Sequence, residues 1–345
     1  MKRVTALLLT GTLVMMTALS VRGQDITRPA QPAPLTPQQM LAAARQRAVD
    51  QVLLSARSDN PFMRANAIEA AQNLPDRVQP LVQLALEDRA TVVRFAALMT
   101  VGQLRLGHLL PSVEPHLTDP NNSVRMAAMF AMHQCGRTVD LSPLAEMVVS
   151  QDPVTRRNSV MILGMMGEPS AIGLIKDGMR KPLEKEHPVH YALARVMAAE
   201  AIAKLAAAQQ GERYREEELE ALHALRAGIW SNEDEVRVLS LLILARLGDR
   251  SQRPAVEGLL AEPPIEMQLA AAEYLARTGQ PAGVDMVVAT SRHNRPAIRA
   301  QAATTLGLID QPNAVTTLIG MLDDSEELVR LAAATAILQK LGGRG

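Results

Sequence analysis

The stretch from Asp324 to Gly342, DSEELVRLAAATAILQKLG, decides the fold. An acid opens it, Arg330 follows six residues later, and alanines and aliphatics then recur at helical spacing. The same order returns in DPNNSVRMAAMFAMHQCG from Asp119 and in NRPAIRAQAATTLGLID from Asn294. Anchored on the arginine, the copies stand at Arg64, Arg94, Arg125, Arg157, Arg195, Arg237, Gln268, Arg299 and Arg330. Most are 30 to 32 residues apart, and two gaps are longer, 38 and 42. A beat of this length marks a solenoid rather than independent domains.

The columns beside the anchor carry the packing. Three residues on, small side chains dominate (Ala67, Ala97, Ala128, Ala302, Ala333), which lets neighbouring helices lie close. Seven residues on, apolar side chains dominate, on the same helix face. Shorter apolar segments between the copies, such as Val78–Leu86 and Ala314–Leu322, supply a second helix per repeat. Such a hairpin cannot bury both faces alone, so stacked neighbours must form one continuous core. The expectation is an all-α solenoid of about nine hairpins over residues 36–345, irregular at about 181–230. Its first helix is announced by Thr36, Pro37 and Gln39, a capping box. Arg45, Gln46, Asp50 and Gln51 are expected to give that helix a wet outer face.

Composition agrees with helices. Hydrophobic residues are 48% of the 345, yet aromatics are only 2%, so the core must be aliphatic. Equal numbers of basic and acidic residues, 36 each, argue against a nucleic-acid partner. One cysteine, Cys135, excludes a disulfide framework.

Residues 1–23 read as a secretory signal: a basic start, an uncharged run from Val4 to Ser20, then small residues. Export to the periplasm or medium is expected, with no membrane insertion after cleavage; the alternative is an uncleaved inner-membrane anchor. The mature chain keeps 33 basic and 36 acidic residues, net −3. Residues 24–35 form a Pro-rich tether.

The pattern Asp-x-x-x-x-Val-Arg-x-x-Ala-Ala-x-x-Leu-Gly resembles HEAT repeats, and the short period resembles the phycobilisome-lyase HEAT-like variety. The resemblance spans residues 36–341 and implies a right-handed superhelix. It implies little about activity, since members are mostly binding scaffolds and a few are enzymes.

The arginine column is expected to be structural, each side chain bonding turn carbonyls or the next repeat's acid. The acids read for this ladder are Asp59, Asp88, Asp119, Asp152, Glu262 and Asp324. Met126, Met129, Met132, His133 and Cys135 are copper-type ligands by chemistry, but their columns assign them to packing. His187, His190, Glu184 and Glu186 read as a polar loop rather than a metal site, with Pro188 breaking the helix face. The His-Glu dipeptides of di-iron HEAT-like enzymes are absent from the sequence. Asn121-Asn122-Ser123 matches a glycosylation sequon and reads as a turn and cap. No catalytic, metal or cofactor site is assigned.

Partner-binding residues are expected where the beat fails: Tyr191, Tyr214 and Trp230. The break near 181–218 is expected to hinge a springlike array. The final helix, Leu328–Leu341, reads as under-capped and so as a site of self-association or partner docking. The functional expectation is an exported, non-catalytic scaffold holding a protein or peptide on its concave face. The alternative is an enzyme or a cofactor- or pigment-attachment factor with a pocket near 184–191.

Overall fold

The structure, a computed structural model, describes residues 35–342 apart from Lys181 and Lys185. The signal and nearly all of the tether lie outside the described residues. Among the described residues there are eighteen α-helices and no strand. In chain order they are α1 (Pro37–Ser55), α2 (Pro61–Ala70), α3 (Pro75–Leu86), α4 (Thr91–Leu104), α5 (Leu110–Val113) and α6 (Asn122–Gln134). Then come α7 (Ser142–Met147), α8 (Pro153–Met166), α9 (Ala171–Gly178), α10 (Pro188–Ala207), α11 (Glu212–Gly228) and α12 (Asp234–Leu247). The last six are α13 (Arg253–Leu259), α14 (Ile265–Arg277), α15 (Val284–Thr290), α16 (Pro296–Leu306), α17 (Pro312–Gly320) and α18 (Glu327–Leu341).

The even-numbered helices form one layer, each packed on the next. Their N-caps fix the register of the repeat. The anchor is always the fourth helical residue: Arg64 after the Asn60 cap, Arg125 after Asn121, Arg330 after Glu326. This corrects two anchors. In α8, capped by Asp152, the fourth residue is Arg156, and Arg157 stands one place beyond it. In α10, capped by His187, it is Tyr191, and Arg195 lies one helical turn further on. With this register the column three residues on becomes uniform. Ala67, Ala97, Ala128, Ser159, Ala194, Ser240, Ala271, Ala302 and Ala333 are all Ala or Ser and all buried. A larger side chain there would push adjacent helices apart. Eight residues past the anchor, Gly102, Gly164 and Gly307 face the next helix of the layer, leaving no room for a Cβ. The left-handed glycine eleven residues on also gains a member, Gly167, beside Gly136, Gly248 and Gly279.

Four of the anchor arginines pair with an acid of the next repeat. Arg64 Nε and Nη2 both reach Asp88 at 2.8 Å, and its Nη1 bonds the carbonyls of Ser58 and Asp59. Arg94 pairs with Asp119, Arg237 with Glu262, and Arg299 with Asp324. Arg125 instead bonds its own turn through Asn122 and the Asp119 carbonyl. Asp152 caps α8 and accepts from Thr155, and Asp59 contributes its carbonyl. Acids six residues before an anchor reach the preceding arginine, as does Glu186, five before Tyr191; Asp59 and Asp152 do not.

The array does not stay open. Helix α1 lies against α18 and α17, and α18 also touches α2. The first helix takes the second-layer place between the last repeat and the first, so nine repeats close into a ring. First-layer helices pack extensively on their neighbours and second-layer helices only sparsely, which puts the first layer inside. Arg330 Nε donates to Gln51 Oε1 (3.2 Å), Ser58 Oγ to Glu327 Oε2 (2.9 Å), and Arg47 pairs with Asp323 (2.6 Å). Two expectations change. Gln51 is buried at this seam, whereas Arg45, Gln46 and Asp50 do face solvent. The last helix is not under-capped: it packs on α1 and α2, and Leu331, Ile337 and Leu338 are buried. Nor is the array a free spring, since its ends are joined.

Candidate partner-binding surface

Closure creates an inward face, made of the residues two before and two, five and nine after each anchor. That face is buried around Met99 and Phe130 and again around Ala270 and Glu273. Between those arcs it opens.

One opening lies between α8, α10 and α12, a cleft of about 270 Å³. Met161, Met165, Met197 and Leu239 give it an adaptable apolar floor. Its end is charged. Arg246 Nη2 donates to both oxygens of Glu200 (3.2 Å), and Lys204 Nζ donates to Glu200 Oε1 (2.8 Å). Two cations share one carboxylate, so the trio is net positive. Gly164 lets α8 approach α10 beneath the cleft.

The broken rhythm sits beside it. The register puts 46 residues between Tyr191 and Arg237, and the excess lengthens α10 and α11 to 20 and 17 residues. On the outer side, α9, α10 and α11 enclose a cavity of about 220 Å³. There Lys176 meets Glu217 at 2.5 Å and Glu220 at 2.9 Å, and its ammonium pKa is raised, chiefly by the Glu217 hydrogen bond.

The three aromatics of the break do not form one patch. The Tyr191 hydroxyl donates to the Met179 carbonyl (2.8 Å), and its ring lies 5.8 Å from the Arg156 guanidinium and 5.9 Å from that of Arg195. It takes the place of a ladder arginine. Tyr214 is half-buried near the start of α11, and Trp230 follows the end of that helix, roughly 24 Å away at the helical rise. Trp230 is 57% exposed. It shares a rim of the ring with exposed Phe62, Val149 and Val154.

The polar loop keeps its two histidines together, with ring centroids 5.8 Å apart. His187 caps α10 by accepting from Val189 N, and His190 is exposed. Glu186 turns inward to Arg156 (3.1 Å), both side chains almost wholly buried. Of the principal cavities, one includes Glu184, and none brings it together with His187, His190 or Tyr191. Among the described residues no group of three or more His, Cys, Asp and Glu could hold a metal ion. Met126 and Met129 are core, and burial pushes the Cys135 thiol up against a smaller opposing effect of Arg105. His133 Nε2 lies 3.4 Å from Glu168. Asn121 caps α6 through Ser123 N and Val124 N. Sequence reasoning missed the Met-lined cleft, although the inward column was legible once the register was known.

Residues 253–338 match the family model described as HEAT repeats. No curated protein matches the chain. Among solved structures, the complex of CpcE and CpcF of phycocyanin lyase from Nostoc sp. PCC7120 is similar at 20% identity and a TM-score of 0.41. That match covers 84% of this chain and 99% of that one. Human deoxyhypusine hydroxylase in complex with glycerol is similar at 17% identity and a TM-score of 0.36, over 87% and 95%. Kap121p bound to Nup53p is similar at 13% identity and a TM-score of 0.35, over 84% of this chain and 37% of that one. The repeat columns and the two-layered helix order make this chain an all-α helical solenoid, of which residues 253–338 match HEAT repeats.

Proposed function

We propose that the protein is an exported, non-catalytic scaffold that holds a protein or peptide segment on the inward face of its ring. The α8–α10–α12 cleft carries this reading: unbranched thioethers adapt to varied apolar side chains, and a net positive trio stands beside them. Export rests on the pattern of residues 1–23. Trp230, with Phe62 on the same rim, supplies a second anchor for a chain crossing the ring edge. Tyr191 is left out of the binding set because its hydroxyl and ring serve the fold. The attachment-factor alternative draws no support from this loop: its two histidines stand together, but the Tyr191 hydroxyl is turned to the Met179 carbonyl and Glu184 lines a different cavity.

The test is affinity capture from the exported fraction with the wild-type chain and with a Met165→Glu/Leu239→Glu variant of equal melting temperature. The reading predicts a specific partner held by the first and lost by the second. Equal capture by both would move the site elsewhere.

A further inference from the structure

The inward face opens a second time at the ring seam, between α16, α18 and α2. This cleft has a volume of about 260 Å³, and Asn66, Glu69, Thr304, Leu328, Leu331 and Thr335 are among its lining residues. Its chemistry is one-sided. Glu69 is the one charged residue of the lining, and among the described residues it has neither a hydrogen bond nor an ion pair. The hydroxyl hydrogens of both threonines are spent on the backbone. Thr304 Oγ1 donates to the Ala300 carbonyl (3.3 Å) and Thr335 Oγ1 to the Leu331 carbonyl (2.8 Å). Both hydroxyls therefore face the cleft as acceptors. The nearby cations are committed: Lys340 to Asp310 and the Gly307 carbonyl, Arg330 to Gln51 and its own turn. Leu328, Leu331, Ala332 and Ala336 supply an apolar wall.

We propose that the seam cleft binds a cationic group on an aliphatic stem, a lysine or arginine side chain of a polypeptide held on the inward face. The head meets Glu69 and the threonine oxygens, and the stem lies along the leucines. Glu69 is exposed to the cleft, and desolvation by the surrounding walls pushes its carboxyl pKa up. A bound cation restores the solvation that the walls remove. The proposal rests on the inward-face reading for its biological meaning, but the chemistry of the cleft stands apart from it.

The experiment titrates the mature chain with n-butylguanidinium and, separately, with neutral pentanamide of similar length, following the methyl resonances of Leu328, Leu331 and Thr335. Saturable shifts with butylguanidinium are expected, with affinity at least about tenfold weaker in Glu69→Gln, the loss of one charge-assisted contact. Thr335→Val, which keeps the shape and removes an acceptor, is expected to weaken binding less. Equal binding of pentanamide, unchanged binding by Glu69→Gln, or no shift at all would overturn the proposal. Probe binding without any captured polypeptide would overturn the scaffold reading and keep the cation site. Polypeptide capture without probe binding would do the reverse.

Discussion

Arg330 donates from Nε to Oε1 of Gln51 across 3.2 Å, although the two stand 279 positions apart in the chain. Every other ladder arginine that bonds across repeats reaches the next repeat in sequence. This one reaches the first. Beside it, Ser58 holds the place that Asp88, Asp119 and Asp324 hold in their repeats, and it bonds Glu327 instead. At the ladder positions the seam thus uses charged-to-neutral bonds where the array uses ion pairs, and the Arg47–Asp323 ion pair lies beside them.

Closure predicts a covalent ring. In a Cys135→Ala background, Ser58→Cys with Glu327→Cys should oxidise to an intrachain disulfide in the monomer. Joining positions so far apart in sequence should stabilise the fold by roughly 2–4 kcal/mol. Non-reducing gels and melting curves read both. Disulfides that form solely between chains would contradict closure.

The corrected register predicts opposite results at adjacent arginines. Arg156→Met leaves Glu186 buried without its ion-pair partner and should cost about 3–5 kcal/mol. Arg157→Ala should fall within about 0.5 kcal/mol of wild type. Urea unfolding of the two variants decides between the registers.

The ladder also sets the response to acid. The Arg64 hydrogen bond holds the Asp88 carboxyl below its ordinary pKa, and Arg299 does the same for Asp324. A lowered folded pKa stabilises the fold above the unfolded value of about 4, and that contribution disappears as pH falls through the folded pKa. Asp88→Asn with Asp324→Asn should therefore be less stable at neutral pH and should lose less stability below about pH 4. Glu69 has the opposite sign, because its carboxyl is raised. Glu69→Gln should leave stability at pH 7 unchanged or higher. Unfolding curves from pH 7 down to pH 2 test both.

Gly164→Ala probes the close approach of α8 and α10. The added Cβ would lie 2.6 Å from the Ala201 Cβ and 2.9 Å from its Cα, so backbone must move. A loss of about 1–3 kcal/mol is expected. Gly173→Ala, at a helical site with open space, should be neutral or slightly stabilising in the same thermal melts.

Much of this was legible in the sequence, and the failures have physical causes. The 31-residue beat, the second helices and the capping box at Thr36 follow from local spacing and hydrogen bonding. Arg156 was missed because Arg157 follows it directly, and only the helix start at Asp152 separates them. Tyr191 was missed because a phenol and a guanidinium share no composition signal, yet both reach a turn carbonyl. Ring closure has no local signature, since it is the sum of small rotations between repeats. Its trace was the apolar surface of α18, including Leu331, Ile337 and Leu338; that helix packs on α1 and α2. The Met-lined cleft became visible only once inward and outward faces were fixed.

The most direct test of the central claim places a photo-crosslinking amino acid at three positions in turn in the cell that makes the protein. These are Met165 on the inward cleft, Trp230 on the rim and Leu84 on the outer layer. The account predicts one common partner crosslinked strongly from Met165, more weakly from Trp230 and not from Leu84. A partner crosslinked from Leu84 and not from Met165 would contradict it.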